Sequence, residues 1–367
     1  MADEYWNRRI ATTHYRFVRV SRATGDELGA LAMLKGGTIT RNNDVRIMET
    51  AEVDVVGAFN IGPDFVRIYM ECSWADGHTE SVCLGTFISV TPSRTVHSGY
   101  ATSTVKLYGR LQELLSDKFE RPVKYEKGRN AVQIVKELCE SKGMEVIADP
   151  SNYCISNERV YGIGAQQSNS DTDDTKLGMI NDLLDLAGFR AAKTDPYGRI
   201  VLRKYVNPME AAPKWEFMEG ASAKFESDMT DERDITDAAN HVVVRYADET
   251  NVVVGEAWDN DPESEFSTGS RGYTITSSYE YTTMPEGKTY AEWQIYADKR
   301  AQSMLKTAQS VIRRVTAKHA YAPVTVNDTV TLGYTSGGVQ GAFEIRTQKL
   351  SLKGGCPTET ELRQFRR

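Results

Sequence analysis

Two stretches near opposite ends of the chain repeat one pattern of residues. The first has Asp-Phe-Val-Arg-Ile at 64–68 and Gly-Thr-Phe-Ile-Ser-Val at 85–90, and the second has Asp-Thr-Val-Thr-Leu at 328–332 and Gly-Ala-Phe-Glu-Ile at 341–345. Residues two apart in a strand share a face, so in each copy the valine and the following aliphatic residue lie on one side. We predict two β-hairpins of one design, each with its aspartate in the turn before the strand and its phenylalanine packed inward. Chance is the alternative, because β-strands in general share this texture.

Between the two copies the apolar spacing becomes helical. A helical stripe is predicted at 107–119, and Asn130 is a candidate N-cap for a second helix with one apolar face. A third helix is predicted to begin near 174–175 and to end before Gly188. A hairpin follows, with a turn at 195–198 that contains Pro196 and Gly198. The apolar face of the second helix consists of Ala131, Ile134, Val135, Leu138 and Cys139.

The order of these patterns predicts an α+β chain made of two similar small antiparallel β-barrels with an α/β insert between them. The predicted parts are the main part of a first barrel at 1–104, the insert at 105–205, a return segment completing the first barrel at 206–240, a second barrel at 241–352 and a loose C-terminal tail at 353–367. One long helix is predicted within the second barrel, at about 290–308. Its apolar stripe either packs on its own barrel or meets a neighbouring subunit.

Composition excludes some classes of function. The net charge of −7 and the lack of a dense lysine and arginine block argue against a general nucleic-acid binder. The five cysteines are widely spaced and contain no Cys-x-x-Cys pair, which favours reduced, mostly buried thiols. The first ten residues are polar, so we expect no signal peptide.

No local pattern supports a catalytic, cofactor-binding or metal-binding site, and we predict none. The acidic run Asp171, Asp173 and Asp174 precedes a helix, where the helix N-terminus favours negative charge. The segment 259–264 faintly resembles a calcium loop, but Ser264 stands where such a loop has glycine. The five histidines include no pair at zinc-ligand spacing.

The chain resembles the hub proteins of phage tails and related contractile injection systems. Residues 178–184, 188–189 and 195–200 are similar to the helix and hairpin of the α/β module in such hubs and in minor tail proteins of long-tailed phages. Residues 240–244 are similar to the strand that opens their second barrel. The resemblance covers nearly the whole chain and rests on the order of the elements, not on one diagnostic motif.

This resemblance implies a homotrimer in which two barrels from each subunit form a pseudo-six-fold ring. Such a ring adapts a six-fold tail tube to a three-fold tip and leaves a channel through which DNA passes without specific binding. The implied partners are a tail tube or distal tail protein above, a tip, spike or fibre-associated protein below, and a tape-measure protein in the lumen. The implied location is the virion tail tip, assembled in the host cytoplasm. A net negative charge suits a channel that must not hold DNA.

Two other functions stay open. A tail-tip peptidoglycan hydrolase or endopeptidase would have a catalytic cluster in one pocket; only about fifteen residues follow Leu352, so we expect no appended catalytic domain. A tail-tip receptor-binding adhesin would have an exposed aromatic platform, for which Trp74 is the candidate.

Overall fold

The structure is a computed structural model that describes residues 5–32, 34–56, 59–97, 100–162, 174–206, 211–233, 238–247, 252–281, 289–309 and 312–365. The helices are α1 Leu111–Ser116, α2 Ala131–Ser141, α3 Lys176–Leu186, α4 Thr268–Arg271 and α5 Tyr290–Gln309. The strands are β1 Thr12–Val20, β2 Glu27–Ala30, β3 Leu34–Asn42, β4 Glu49–Val56, β5 Phe65–Ser73, β6 Thr79–His97, β7 Tyr100–Gly109, β8 Val123–Tyr125, β9 Val146–Ala148, β10 Arg159–Tyr161, β11 Lys193–Thr194, β12 Ile200–Leu202, β13 Trp215–Met218, β14 Phe225–Arg233, β15 His241–Ala247, β16 Val252–Trp258, β17 Thr276–Tyr281, β18 Ile312–His319, β19 Thr329–Tyr334, β20 Val339–Ser351 and β21 Thr358–Phe365.

Most of the strands form one 13-stranded sheet. Its order is β14-β18-β21-β20-β3-β4-β7-β6-β5-β1-β2, and β19 joins it through β20 and carries β13. The pairs β1–β5, β3–β4, β4–β7, β5–β6 and β3–β20 are antiparallel, whereas β13 and β19 run parallel. The predicted α+β class with mainly antiparallel strands is confirmed.

Both copies of the repeat form hairpins in this sheet. The first copy is β5–β6 and the second is β19–β20. Val66, Ile68, Val330 and Leu332 are all fully buried, and so are the two inward-pointing phenylalanines, Phe87 and Phe343. Hence the prediction of two similar hairpins is confirmed.

The insert has its own apolar core. The Asn130 side chain accepts a hydrogen bond from the Gln133 backbone and caps α2, as predicted. Thr175 caps α3 in the same way, and Gly188 has a φ of 72°, the left-handed conformation that ends this helix. The predicted stripe at 107–119 is helical only over α1, because Leu107 belongs to β7. Helices α2 and α3 contribute these buried residues to the core of the insert: Ala131, Ile134, Val135, Cys139, Leu177, Met179, Ile180, Leu183 and Leu184.

The long helix α5 packs on a three-stranded sheet of order β16-β15-β17. Its start is a capping box, in which Thr289 and Glu292 bond each other's backbone N–H groups. Of the two predicted positions for its apolar stripe, packing within its own chain is confirmed. The buried stripe consists of Trp293, Ala297, Ala301 and Leu305.

The chain divides into two compact units at positions that differ from the predicted boundaries. One unit contains 1–228, 317–340 and 344–361, and the other contains 229–316, 341–343 and 362–367. Residues 317–340 therefore group with the N-terminal part of the chain and not with 241–316. The strands of the predicted return segment at 206–240 pair with later strands, β13 with β19 and β14 with β18.

The C-terminal residues also differ from the prediction of a loose tail. Residues 358–365 form β21, which lies between β18 and β20. Thr358, Thr360 and Leu362 alternate along this strand and are almost fully buried. Polar composition suggested a loose segment, but buried threonine hydroxyls find partners within the sheet: Thr360 Oγ1 lies 2.8 Å from His319 Nε2.

Candidate functional site

The hairpin β11–β12 brings the insert onto the large sheet. Its turn, predicted at 195–198, is closed by the Asp195 carboxylate, which accepts hydrogen bonds from the backbones of Tyr197 and Arg199. The Pro196 carbonyl in this turn accepts a hydrogen bond of 2.9 Å from Thr86 Oγ1 on β6. A rigid turn is thus anchored to the sheet by its exposed backbone.

A buried polar cluster lies beside this turn. Glu49 on β4 accepts a 3.0 Å hydrogen bond from Thr194 Oγ1 and lies 3.6 Å from Arg41 Nε on β3. Arg41 also donates to the Leu84 carbonyl at 2.7 Å and to Gln348 at 3.4 Å. Burial raises the pKa of Glu49, while Arg41 and Thr194 oppose that rise. The cluster therefore links the insert to four strands of the sheet, β3, β4, β6 and β20.

A second ionic contact fixes the start of the same hairpin. Arg190 forms an ion pair with the buried Glu344 on β20 and donates to Asn327 Oδ1 at 2.9 Å. Arg346 approaches the other oxygen of Glu344 at 3.7 Å. Two arginines thus neutralise one buried carboxylate, which would be costly to bury alone.

Sequence reasoning missed this junction, although the sequence carries a signal for part of it. Arg41 is two residues from the buried Ile39 on β3, and Glu49 is two residues from the buried Ala51 on β4. A charged residue in phase with the buried positions of a strand is a candidate for a buried ion pair. The pairing of Arg41 with Glu49 depends on the register of β3 and β4, which sequence does not show.

The loop at 259–264 carries its own hydrogen-bond donors. The Asp259 carboxylate accepts hydrogen bonds from the Asp261 backbone, from Ser264 Oγ and from Gln309 Nε2. Of the acidic run, Asp171 and Asp173 lie outside the described residues. Across the part of the chain that the structure describes, no group of three His, Cys, Asp or Glu side chains is placed to hold a metal ion.

Trp74 does not form an exposed platform. Only 4% of its surface is exposed, and its ring packs edge-on against Trp6 and Tyr5. His78 in the same loop is half-buried and stacks on Tyr5 at 3.7 Å. This loop therefore holds the N-terminal residues against the sheet, and the candidate residue of the adhesin hypothesis is part of the core.

The remaining histidines are dispersed. His319 is buried with both ring nitrogens hydrogen-bonded, to the Ala320 carbonyl and to Thr360, and burial lowers its pKa to about 4. His241 lies under the ring of Trp258 at 3.6 Å, and His14 is exposed on β1. The side chain of His97 lies outside the part of the chain that the structure describes. Among the cysteines, Cys72, Cys83, Cys139 and Cys356 are buried, and Cys154 is exposed.

None of the described helices is both long and apolar enough to cross a membrane.

The arrangement of this sheet and its insert is the fold of phage tail proteins. The tail protein from Neisseria meningitidis MC58 is 11% identical, with 95% of this chain and 96% of that chain covered and a TM-score of 0.65. The 43 kDa tail protein of prophage MuSo2 from Shewanella oneidensis is 11% identical, with 95% and 98% covered and a TM-score of 0.63. The prophage tail protein gp18 from Listeria monocytogenes is 11% identical, with 95% and 94% covered and a TM-score of 0.54. The resemblance inferred from the sequence is thus confirmed for the fold.

The same fold occurs in a secretion complex. A chain of the Francisella PdpA–VgrG complex is 9% identical over 98% of this chain and has a TM-score of 0.58. This chain spans 59% of that longer chain. No family model and no curated protein sequence matches the chain.

Proposed function

We propose that the chain is a structural hub at the distal end of a phage or phage-like tail. The observation that carries the proposal is the likeness to tail proteins of similar length, which extends over 95% of the chain. The subunits form a homotrimeric ring with a channel for DNA, between a tail tube or distal tail protein above and a tip, spike or fibre-associated protein below. The likeness to a chain of the PdpA–VgrG complex supports a partner protein at the tip side. A tape-measure protein occupies the lumen before ejection.

The repeated hairpins support the symmetry of this ring. Each copy places a buried valine, a buried aliphatic residue and a buried phenylalanine at equivalent positions, as at Val66, Ile68 and Phe87. Two similar barrel-like halves from each of three subunits supply six similar positions around one axis. The similarity of the two hairpin copies lets the trimer match a six-fold tube. The differences between the two copies leave the ring with three-fold symmetry on the side of the tip.

The free edge of the sheet supports contact between subunits. The strand β2 ends the sheet order, and its four residues are exposed, with Leu28 at 56%. An exposed edge strand offers unpaired backbone groups to another chain, and head-to-tail contacts that close generate rings. The edge at β2 is therefore our candidate for a subunit contact.

The assembly is tested by native mass spectrometry and by electron-microscopy class averages of the purified protein and of assembled tails. We expect a trimer with a central pore. A protein that stays monomeric at high concentration, together with tails that contain no such ring, would refute the hub.

The edge contact has a matched pair of variants. Leu28→Lys places a charge on the edge strand and is expected to yield monomers, because charged side chains block edge pairing. Val45→Lys is the control, since Val45 is exposed to a similar extent, 47%, but lies in the loop between β3 and β4. Trimers formed equally well by both variants would exclude β2 from the interface. The hub hypothesis itself would still be tested by the mass measurement.

The role is structural and not enzymatic. The likeness to tail proteins supports this, and the buried carboxylates Glu49 and Glu344 at the insert are already paired with Arg41 and Arg190. Peptidoglycan incubated with the purified protein should release no soluble fragments; release that a single substitution abolishes would identify an enzyme.

A further inference from the structure

A cavity of about 490 Å³ lies where the insert meets the large sheet. Its walls come from β3, β4 and β6 on the sheet side and from the hairpin β11–β12 on the insert side, with the segment 321–328 closing it. The lining residues that matter here are Arg41, Glu49, Lys193, Tyr321 and Asp328. The cavity belongs to a single compact unit.

Most charges around the cavity are paired. Asp328 Oδ2 forms an ion pair with Lys214 Nζ at 2.8 Å, and Glu49 Oε1 lies 3.6 Å from Arg41 Nε. The two arginines of the insert wall are held by aspartates at 2.7 and 2.6 Å, Arg199 by Asp195 and Arg203 by Asp149. These contacts account for every acidic side chain that lines the cavity.

Lys193 is the exception. No hydrogen bond or ion pair joins its ammonium group to any other residue that the structure describes. Burial lowers the pKa of Lys193, although Asp328 and Glu49 at longer range act in the opposite direction. Even a partly buried ammonium without a partner is costly, and the cost falls when an anion binds beside it.

A second donor at the same cavity also lacks an acceptor. Arg41 is 4% exposed, and its Nε has no hydrogen-bond partner within the described chain, because Glu49 lies beyond hydrogen-bond distance. An unsatisfied buried donor costs about 1–3 kcal/mol. Water can bond to this N–H group, but water does not neutralise Lys193.

We propose that this cavity binds a small oxyanion, of the phosphate or carboxylate class, held by Lys193 and Arg41. Both residues line the same cavity, and oxyanions accept charge-assisted hydrogen bonds from ammonium and guanidinium groups. The bound anion joins the β11 end of the insert to β3 of the sheet, and so it stabilises the insert in its docked position. This proposal does not depend on the hub function.

The test is a titration of the full-length protein with sodium phosphate and, separately, with sodium acetate, at an ionic strength held constant with sodium chloride. Binding is measured by calorimetry and by the urea midpoint, which rises when a ligand binds only the folded state. Either anion binding at Lys193 supports the site, and the tighter one identifies the ligand class. No binding of either anion at millimolar concentration overturns the proposal.

Lys193→Met removes the charge and keeps a side chain of similar length. We expect anion affinity to fall about tenfold to a hundredfold, as for loss of a charge-assisted hydrogen bond. Without added anion this variant should unfold at the same or a higher urea concentration than the parent, because an unpaired buried charge is gone. Lys136→Met is the matched control, since Lys136 lies on α2 with its side chain 42% exposed. Equal affinity in the Lys193 and Lys136 variants overturns the assignment.

A chemical readout on the unaltered protein makes the test independent of how the variant folds. Acylation of lysines by an N-hydroxysuccinimide ester is followed by mass spectrometry with and without phosphate. Bound phosphate should slow acylation of Lys193 and leave that of Lys136 unchanged. Equal protection of both lysines, or of neither, contradicts the proposed site.

Discussion

The backbone of α5 lies very close to its sheet at Gly255 on β16. A Cβ atom at this position would lie 2.2 Å from the backbone carbon and 2.4 Å from the backbone oxygen of Ala297. Carbon atoms in contact are normally about 3.5–4.0 Å apart, so Gly255→Ala requires a shift of over about 1 Å. The obstacle is helix backbone, which cannot rotate away as a side chain can.

The cost follows from what the shift uncovers. Moving α5 outward loosens the burial of Trp293, Ala297 and Ala301, and inserting a methyl group into a packed contact costs about 1–3 kcal/mol. We expect a value near the upper end, about 3 kcal/mol, because the clash is with backbone. Local opening of α5 would then be about a hundredfold more frequent.

Hydrogen exchange of peptides from 290–309, followed by mass spectrometry, measures this opening directly. Gly269→Ala is the control, because Gly269 lies in α4 and its nearest foreign atom would be 3.9 Å from the new Cβ. That variant should exchange at the parental rate or more slowly, since alanine favours helix over glycine. Exchange of α5 in Gly255→Ala that stays within a few-fold of the parent would refute the close contact.

Two further predictions concern the large sheet. In the folded protein the pKa of His319 is about 4, below its ordinary value of 6.5. Its neutral form therefore contributes stability that is complete above pH 6.5 and is lost as pH falls toward 4. This contribution is up to about 3 kcal/mol, so urea midpoints across this range should fall less steeply in His319→Gln than in the parent. Phe87→Ala should lower the free energy of unfolding by about 3–5 kcal/mol, because the Phe87 ring is fully buried against Gly85; a loss under about 1 kcal/mol in urea titration would contradict its place in the core.

Local sequence was sufficient for elements that are stabilised by near neighbours. The helix at 131–141 follows from its cap at Asn130 and from apolar residues three and four apart, and both signals lie within one helix length. The turn at 195–198 follows in the same way from contacts between residues close in the chain. The repeated hairpins also belong here, because each pairs two neighbouring strands.

Partners distant in the chain were not readable. Strand β3 lies beside β20, some three hundred residues later in the chain. The polar composition of the C-terminal segment predicts a loose tail, yet β21 lies between two strands of the sheet. The position of Trp74 in a loop suggests an exposed ring, yet it is buried under the N-terminal residues. In each case the deciding contact is made by a segment that is distant in the sequence, so the local pattern of residues does not predict it.

The same division holds for the charged junction of the insert. The sequence alone determined an α/β module between two similar hairpins, since periodicity and turn residues act over a few positions. Only the tertiary structure decided that Arg41 meets Glu49, that Arg190 meets Glu344, and that Lys193 lies beside a cavity with no partner among the described residues. Whether a buried charge is neutralised depends on strand register and on which surfaces dock, and both are settled by packing across the whole molecule.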